Sequence, residues 1–252
     1  MLNPLDLTGR TILVTGASSG IGKETTGLIS RLGARVILVG RNQQRLEETC
    51  QCLEGTGHAI EPFDLGAYEG IPSWMRNLAN NYGPFDGLLH SAGIQMTVPL
   101  KVMEGSPVEA MWRVNVMASL WLAKGYRHPS VNNSGGSMVF VSSIAGIVGQ
   151  PALAAYSATK GAVIGITHSL AMELARENIR VNCIAAAHVA TRMSQEFGAR
   201  LTKEHYEAIA KEHPLGIGEA ADVANAAAFL LSSAARWITG SVLVVDGGYT
   251  AH

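Results

Sequence analysis

The sequence predicts an α/β fold, a doubly wound and mostly parallel sheet of seven strands with helices on both faces, and three observations support it. Seven short apolar runs, at 11–15, 35–40, 58–63, 85–90, 137–141, 179–184 and 241–245, alternate with helical patterns at about 20–32, 42–55, 68–82, 107–126 and 154–176. Strands that alternate with helices build parallel sheets covered on both sides. The chain has 252 residues, 47% of them hydrophobic and 15% charged, which suits one well-buried domain spanning 1–252. Finally, the first strand, Thr11-Ile-Leu-Val-Thr15, runs through the glycine-rich turn Gly16-Ala-Ser-Ser-Gly20-Ile-Gly22 into a helix. That order points free backbone N–H groups and a helix dipole at one spot, an anion site of the Rossmann type suited to a dinucleotide pyrophosphate.

Composition narrows the function classes. The net charge is −1 with both signs scattered, so no basic footprint for nucleic acid or anionic membrane is expected. No apolar run has the length needed to span a bilayer. Cys50, Cys52 and Cys183 form no metal-ligand quartet, and no metal is expected. An odd number of thiols and the absence of a signal peptide point to the reducing cytoplasm.

After the glycine turn, the second strand ends in Gly40-Arg41-Asn42 with no carboxylate. In dinucleotide folds a carboxylate about 20 residues beyond the glycines binds the ribose hydroxyls of NAD, whereas an arginine accommodates the extra phosphate of NADP. Arg41 therefore favours NADP(H), with NAD(H) possible, because its planar fork pairs with phosphate. The third strand ends at Asp64-Leu65, and the polar stretch 130–136 reads as a loop.

The chemistry gathers in 143–160. Tyr156 and Lys160 stand four residues apart, so on a helix they share a face. A phenol of pKa about 10 is a poor proton carrier at neutral pH. An ammonium about 4 Å away is worth roughly 4 kcal/mol at an effective dielectric of about 20, enough to shift it by up to about three units, so Lys160 is expected to lower the Tyr156 pKa. Ser143, at the end of the preceding strand, could meet the phenol over a substrate oxygen.

These residues, in this order and spacing, resemble the short-chain dehydrogenase/reductase family over nearly the whole chain. Thr15-Gly-Ala-Ser-Ser-Gly-Ile-Gly22 is similar to its cofactor motif, and Val245-Asp-Gly-Gly248 to its C-terminal signature. The resemblance implies a cofactor site that takes Gly16, Ser18, Ser19, Gly20, Ile21 and Gly22 from the first turn. Arg41, Asp64 (the adenine-contacting acid), Leu65, Ser91, Ala92 and Gly93 would continue it. Tyr156, Lys160, Val189 and Thr191 would close it, with Thr191 meeting the nicotinamide carboxamide. It implies the catalytic set Asn115, Ser143, Tyr156 and Lys160: Tyr156 would protonate a carbonyl oxygen as hydride reaches its carbon. Lys160 would lower the phenol pKa and hold the nicotinamide ribose, Ser143 would bind the substrate oxygen, and Asn115 would support a water-linked proton path to Lys160.

The chain departs from the family pattern at three places. His90-Ser91 stands where the family has two asparagines, and His90 reads as a satisfied core histidine. Ala186-Ala187 replaces a Pro-Gly beside the nicotinamide, and Pro214-Leu-Gly-Ile-Gly218 lacks an arginine. A helical flap at 188–213, with Met193, Phe197 and Tyr206, is expected to cover the site. Ser143, Tyr156, Met96, His188 and Met193 are the expected substrate contacts.

The implied activity is NADP(H)-dependent interconversion of a small-molecule ketone or aldehyde with an alcohol. The branch most similar in appearance reduces 3-oxoacyl thioesters on acyl-carrier protein, and that reading stays open. Glu177 stands where that branch often has arginine, and 130–136 carries no positive charge for a carrier. An NADP-binding sensor or scaffold is the non-enzymatic alternative. The helices at 107–126 and 154–176 carry Trp112, Leu120, Trp121, Val163, Ile166 and Leu170 on more than one face, and family members pair through these helices, so a homotetramer is expected.

Overall fold

A computed structural model describes residues 3–191 and 203–251, without the side chains of 203–206. Met193, Phe197 and the Tyr206 side chain of the expected flap therefore lie outside the described residues. Seven strands form one sheet: β1 (Thr11–Thr15), β2 (Arg35–Gly40), β3 (Ala59–Pro62), β4 (Phe85–His90), β5 (Asn132–Ser143), β6 (Ile179–Ala186) and, after two short strands introduced below, β9 (Val242–Val245). Their spatial order is β3-β2-β1-β4-β5-β6-β9 and every pairing is parallel. Chain direction across the sheet reverses between β1 and β4, so the crevice at their carboxyl ends is where such sheets bind ligands.

Alternation along the strands sorts the core onto two faces. Leu13, Ile37, Leu88, Met138 and Val181 join one cluster, which includes Met75 of α3 (Ile71–Tyr82), Leu122 of α5 (Ala118–Tyr126) and Val163 of α6 (Ala154–Leu174). Ile12, Val36, Leu38, Leu89 and Val139 join the other, which includes Ile29 of α1 (Gly20–Arg31), Leu46 of α2 (Gln43–Cys50) and Val223 of α8 (Ala220–Leu231). Buried on both sides, the strands are apolar at nearly every position, which is why they read as continuous runs.

Three local features depart from expectation. Strand β5 begins at Asn132, inside the stretch 130–136 read as a loop: Asn132 pairs with Phe85 and a register shift follows between Phe85 and Gly87. The helix expected at 107–126 is α4 (Gly105–Trp112), a π-helical segment over Arg113–Met117, and α5. Helix α8 has no counterpart in the sequence reading. Its alanine-rich run, Ala-Ala-Asp-Val-Ala-Asn-Ala-Ala-Ala-Phe-Leu-Leu, lacks a clear apolar stripe, and its N-cap is Glu219 rather than a short hydroxyl or amide residue. Glu219 and Asp222 nonetheless form a reciprocal capping box, with the Glu219 N–H donating to Asp222 Oδ2 at 2.8 Å. At the other end, the Arg180 guanidinium donates to the Leu230 and Ser232 carbonyls at 2.8 and 3.1 Å, placing a cation on the negative end of the helix dipole.

Two further short strands, β7 (Val189–Ala190) and β8 (Gly218–Glu219), pair in parallel beside the crevice. Helix α7 (Lys203–Lys211) lies in the expected flap. No helix among the described residues is long and apolar enough to cross a membrane. Cys50, Cys52 and Cys183 are free thiols.

Helix α8 seals one sheet face, and Leu231, 1% exposed, packs its side chain against Gly87 of β4. Truncation to alanine leaves a cavity with little room to collapse. Leu231→Ala is expected to lower stability by about 2–5 kcal/mol in urea unfolding; a loss under about 1 kcal/mol would show that α8 contributes little to the core.

Candidate active site

The carboxyl ends of the strands surround a cleft of about 580 Å³. Gly16 opens it with φ of +71°, and a Cβ there would stand 2.8 Å from the Ala92 nitrogen, so the turn after β1 lies directly on the turn after β4. Ser18, Ser19, Gly20 and Ile21 line the cleft where α1 begins. Arg41 and Asp64 line it beyond β2 and β3, with Leu65 beside them, and Ser91, Ala92 and Gly93 line it beyond β4. A glycine turn with no room for side chains, a helix N-terminus and an arginine fit a phosphate-bearing dinucleotide.

Gly22 does not line the cleft. Its missing Cβ would run into the Gly16 carbonyl, so it serves helix-to-turn packing rather than ligand contact. Val189 and Thr191 line the opposite wall, and Thr191 reaches the space beside Gly20. The alanine pair replacing Pro-Gly leaves the wall pinned. Neither alanine takes a left-handed conformation, Ala187 N–H donates to the Val245 carbonyl at 3.1 Å, and Gly218 N–H donates to the His188 carbonyl at 3.1 Å.

Ser143, Tyr156 and Lys160 meet in the same cleft. Ser143 ends β5, and its hydroxyl accepts the Ala145 N–H at 3.1 Å and hydrogen-bonds the Tyr156 phenol. The loop after β5 approaches α6 so closely that a Cβ on Gly146 would stand 2.7 Å from the Lys160 carbonyl carbon. Lys160, 6% exposed, donates from Nζ to the Val141 carbonyl at 2.8 Å and lies 5.7 Å from the centre of the Tyr156 ring. The Ser142 hydroxyl ties the Lys160 carbonyl to β5 at 2.9 Å, a brace the sequence reading missed.

The expected lowering of the phenol pKa by Lys160 is not what the structure shows. Burial pushes Tyr156 up to about 12, opposed by the hydrogen bond with Ser143. Burial also pushes the Lys160 ammonium down to about 8, against a smaller pull upward from the Cys183 thiol. Loss of water outweighs attraction because the ammonium is turned to a backbone carbonyl rather than to the phenol oxygen. At neutral pH the phenol is protonated, the form that donates to an oxygen gaining negative charge.

Asn115 lies in the π-helical segment and is 1% exposed. It does not line the cleft. Its side chain accepts the Ile94 N–H at 2.8 Å and donates to the Ile94 carbonyl at 2.9 Å and Thr159 Oγ1 at 3.1 Å. It thus anchors the turn after β4 to α6. Asn115 and Lys160 both flank Gly93, where an added Cβ would stand 3.4 Å from Asn115 Oδ1 and 3.6 Å from Lys160 Nζ.

Of the substrate contacts, His188 lines the cleft and Met96 does not; Met193 lies outside the described residues. Ile94, Gln95 and Thr97 line it instead. Sequence reasoning also missed Gln150 and Tyr249, whose amide and hydroxyl pair at 2.9 Å, and Ile209, Glu212 and His213 at the end of the flap. Their separation along the chain left no local motif to find.

A family model described as enoyl-(acyl carrier protein) reductase matches residues 16–250. The chain belongs to the short-chain dehydrogenase/reductase family. Among its relatives, the 3-oxoacyl-acyl-carrier-protein reductase of Rickettsia conorii is 35% identical over 245 residues, covering 97% of this chain and 98% of that protein. The gluconate 5-dehydrogenase of Gluconobacter oxydans is 31% identical over 247 residues, covering 97% and 96%. The crystal structure of a gluconate 5-dehydrogenase from Burkholderia cenocepacia, in complex with NADP and tartrate, superposes with a TM-score of 0.91 at 25% identity, covering 99% of this chain and 98% of that one.

The buried ammonium of Lys160 has a measurable cost. Below about 8 the folded protein holds a charge that the unfolded chain would solvate, and the penalty disappears as pH rises from there toward the ordinary lysine value of 10.5. Lys160→Met is therefore expected to raise Tm at neutral pH, with the gain over wild type shrinking as pH climbs above about 8. A gain that grows with pH would contradict the sign of the shift.

Proposed function

We propose that the protein is an NADP(H)-dependent oxidoreductase that interconverts a ketone or aldehyde and an alcohol, with Tyr156 as general acid in reduction and general base in oxidation. The observation that carries this reading is the convergence of Ser143, Tyr156 and Lys160 on one cleft with the Gly16 turn and Arg41. When bound there, the nicotinamide supplies hydride to the carbonyl carbon. Ser143 and the protonated Tyr156 offer two hydroxyl donors to the carbonyl oxygen, where charge develops. Lys160 restores the phenol proton and holds the nicotinamide ribose, Asn115 keeps the turn after β4 against α6, and Arg41 takes the ribose phosphate of NADP.

A second reading, reduction of a 3-oxoacyl thioester, is favoured by the identity to the Rickettsia conorii enzyme. The surface weighs against an acidic carrier protein. Arg127 is held bidentately by Glu177, with contacts of 2.7 and 3.0 Å, and Glu173 lies 3.7 Å away, leaving two carboxylates around one cation. A small free carbonyl compound is preferred. We further read residues 1–252 as one cytoplasmic domain that assembles as a homotetramer through the helices at 107–126 and 154–176. Trp121, Ile166 and Leu170 pack against the core of their own chain, so the exposed large apolar residues on these helices are Trp112, 37% exposed, and Met172, 80% exposed.

Tyr156→Phe is expected to lower kcat/KM for carbonyl reduction by at least ~100-fold while the protein still binds NADPH. Unaltered turnover would remove the phenol from the chemistry and leave a binding protein. Arg41→Ala is expected to weaken NADPH binding about tenfold more than NADH binding in parallel titrations; equal losses would contradict the cofactor preference.

A further inference from the structure

We propose that His90 is a positioning residue of the dinucleotide cleft, which ties the turn after β1 to the end of β4 through a single imidazole tautomer. The inference rests on the NADP(H) reading above. His90 is the last residue of β4 and 3% exposed, in register with Thr15, the last residue of β1. Thr15 Oγ1 lies 2.8 Å from His90 Nδ1 and accepts the Ala92 N–H at 3.3 Å. One of the two lone pairs of the Thr15 hydroxyl takes the Ala92 N–H, and its own hydrogen still has to be placed. A buried hydroxyl hydrogen without an acceptor is costly, and His90 Nδ1 is the acceptor at hand.

That assignment leaves the ring proton on Nε2. Nε2 is buried without a hydrogen-bond partner, and the Val114 carbonyl favours the protonated ring. Val114 lines the cleft and sits in the π-helical segment beside Asn115. Burial, reinforced by the positive charge of Lys160, pushes the imidazole down to about 3, so Nδ1 stays an acceptor across the working pH range. The ring also packs edge-on against Phe140 at 6.2 Å, which fixes its plane. The bond from Thr15 thus stands just beneath the close contact between Gly16 and Ala92, where the two turns that shape the cleft meet. The expectation of a satisfied core histidine holds at Nδ1 and not at Nε2, which is buried without a partner.

The test is NADPH affinity measured by calorimetric titration, with Tm followed alongside. His90→Phe keeps the packing and removes both nitrogens, and is expected to weaken NADPH binding about tenfold. His90→Asn returns an acceptor for the Thr15 hydroxyl and is expected to recover most of that loss. Thr15→Val, which also removes the acceptor of the Ala92 N–H, is expected to weaken binding at least as much, and the His90→Phe/Thr15→Val pair to be no worse than Thr15→Val alone, since the bond between the two side chains is already gone. Leu89→Ala, on the opposite face of β4, is the control: Tm falls and NADPH affinity holds. The role of His90 is overturned if His90→Phe binds NADPH as wild type does, or if all variants lose affinity in proportion to their loss of Tm. Wild-type protein that binds neither dinucleotide overturns the reading beneath it instead.

Discussion

Everything at this site depends on one backbone constraint, the close approach of the turn after β1 to the turn after β4. Two parallel strands end side by side, and the chain reverses its progress across the sheet between them. Gly16 lies so near Ala92 that no side chain fits at that position. The approach places the α1 N-terminus, the Ser91–Gly93 turn and, through Asn115 and Ile94, helix α6 around one cleft. Lys160 and Tyr156 sit on α6, so their aim is set by backbone packing at Gly146 rather than by their own flexible stems. Rigid elements hold such geometry better than loops do.

Electrostatics in this cleft run opposite to the simple expectation of an ammonium acidifying a phenol. Burial dominates both groups, raising Tyr156 to about 12 and lowering Lys160 to about 8. The outcome still suits carbonyl reduction, since the acid must hold its proton until the carbonyl oxygen gains charge. The ammonium, partly relieved of its preference for the charged form, is poised to exchange a proton near neutral pH. The buried charge destabilises the fold, as catalytic groups held in low dielectric generally do.

The architecture was legible because a parallel sheet buried on both faces writes continuous apolar runs, and because the glycine turn, Arg41 and the Ser143–Lys160 stretch are local patterns. What stayed hidden arises from contacts distant in sequence or from composition without pattern. Helix α8 is alanine-rich and capped by a glutamate, so neither periodicity nor cap residue announced it. Asn115 could be assigned to the site by resemblance, but that its amide is engaged by Ile94 and Thr159 could not. Met96 lies after the fourth strand as expected of a wall residue, yet its neighbours Gln95 and Thr97 are the ones that line the cleft, a choice set by the course of an irregular segment. The pairing of Gln150 with Tyr249 spans most of the second half of the chain and leaves no motif at all.

The central claim is that this cleft transfers hydride to a carbonyl carbon under proton control by Tyr156. The most direct measurement is oxidation of NADPH carrying deuterium at the transferable position of nicotinamide C4, against a panel of diketones, keto sugars, steroid ketones and a β-keto thioester. The account predicts slower oxidation than with the protium form and an alcohol product carrying deuterium on its carbinol carbon, for at least one free ketone. NADPH that binds and is oxidised without deuterium appearing in any product would contradict it.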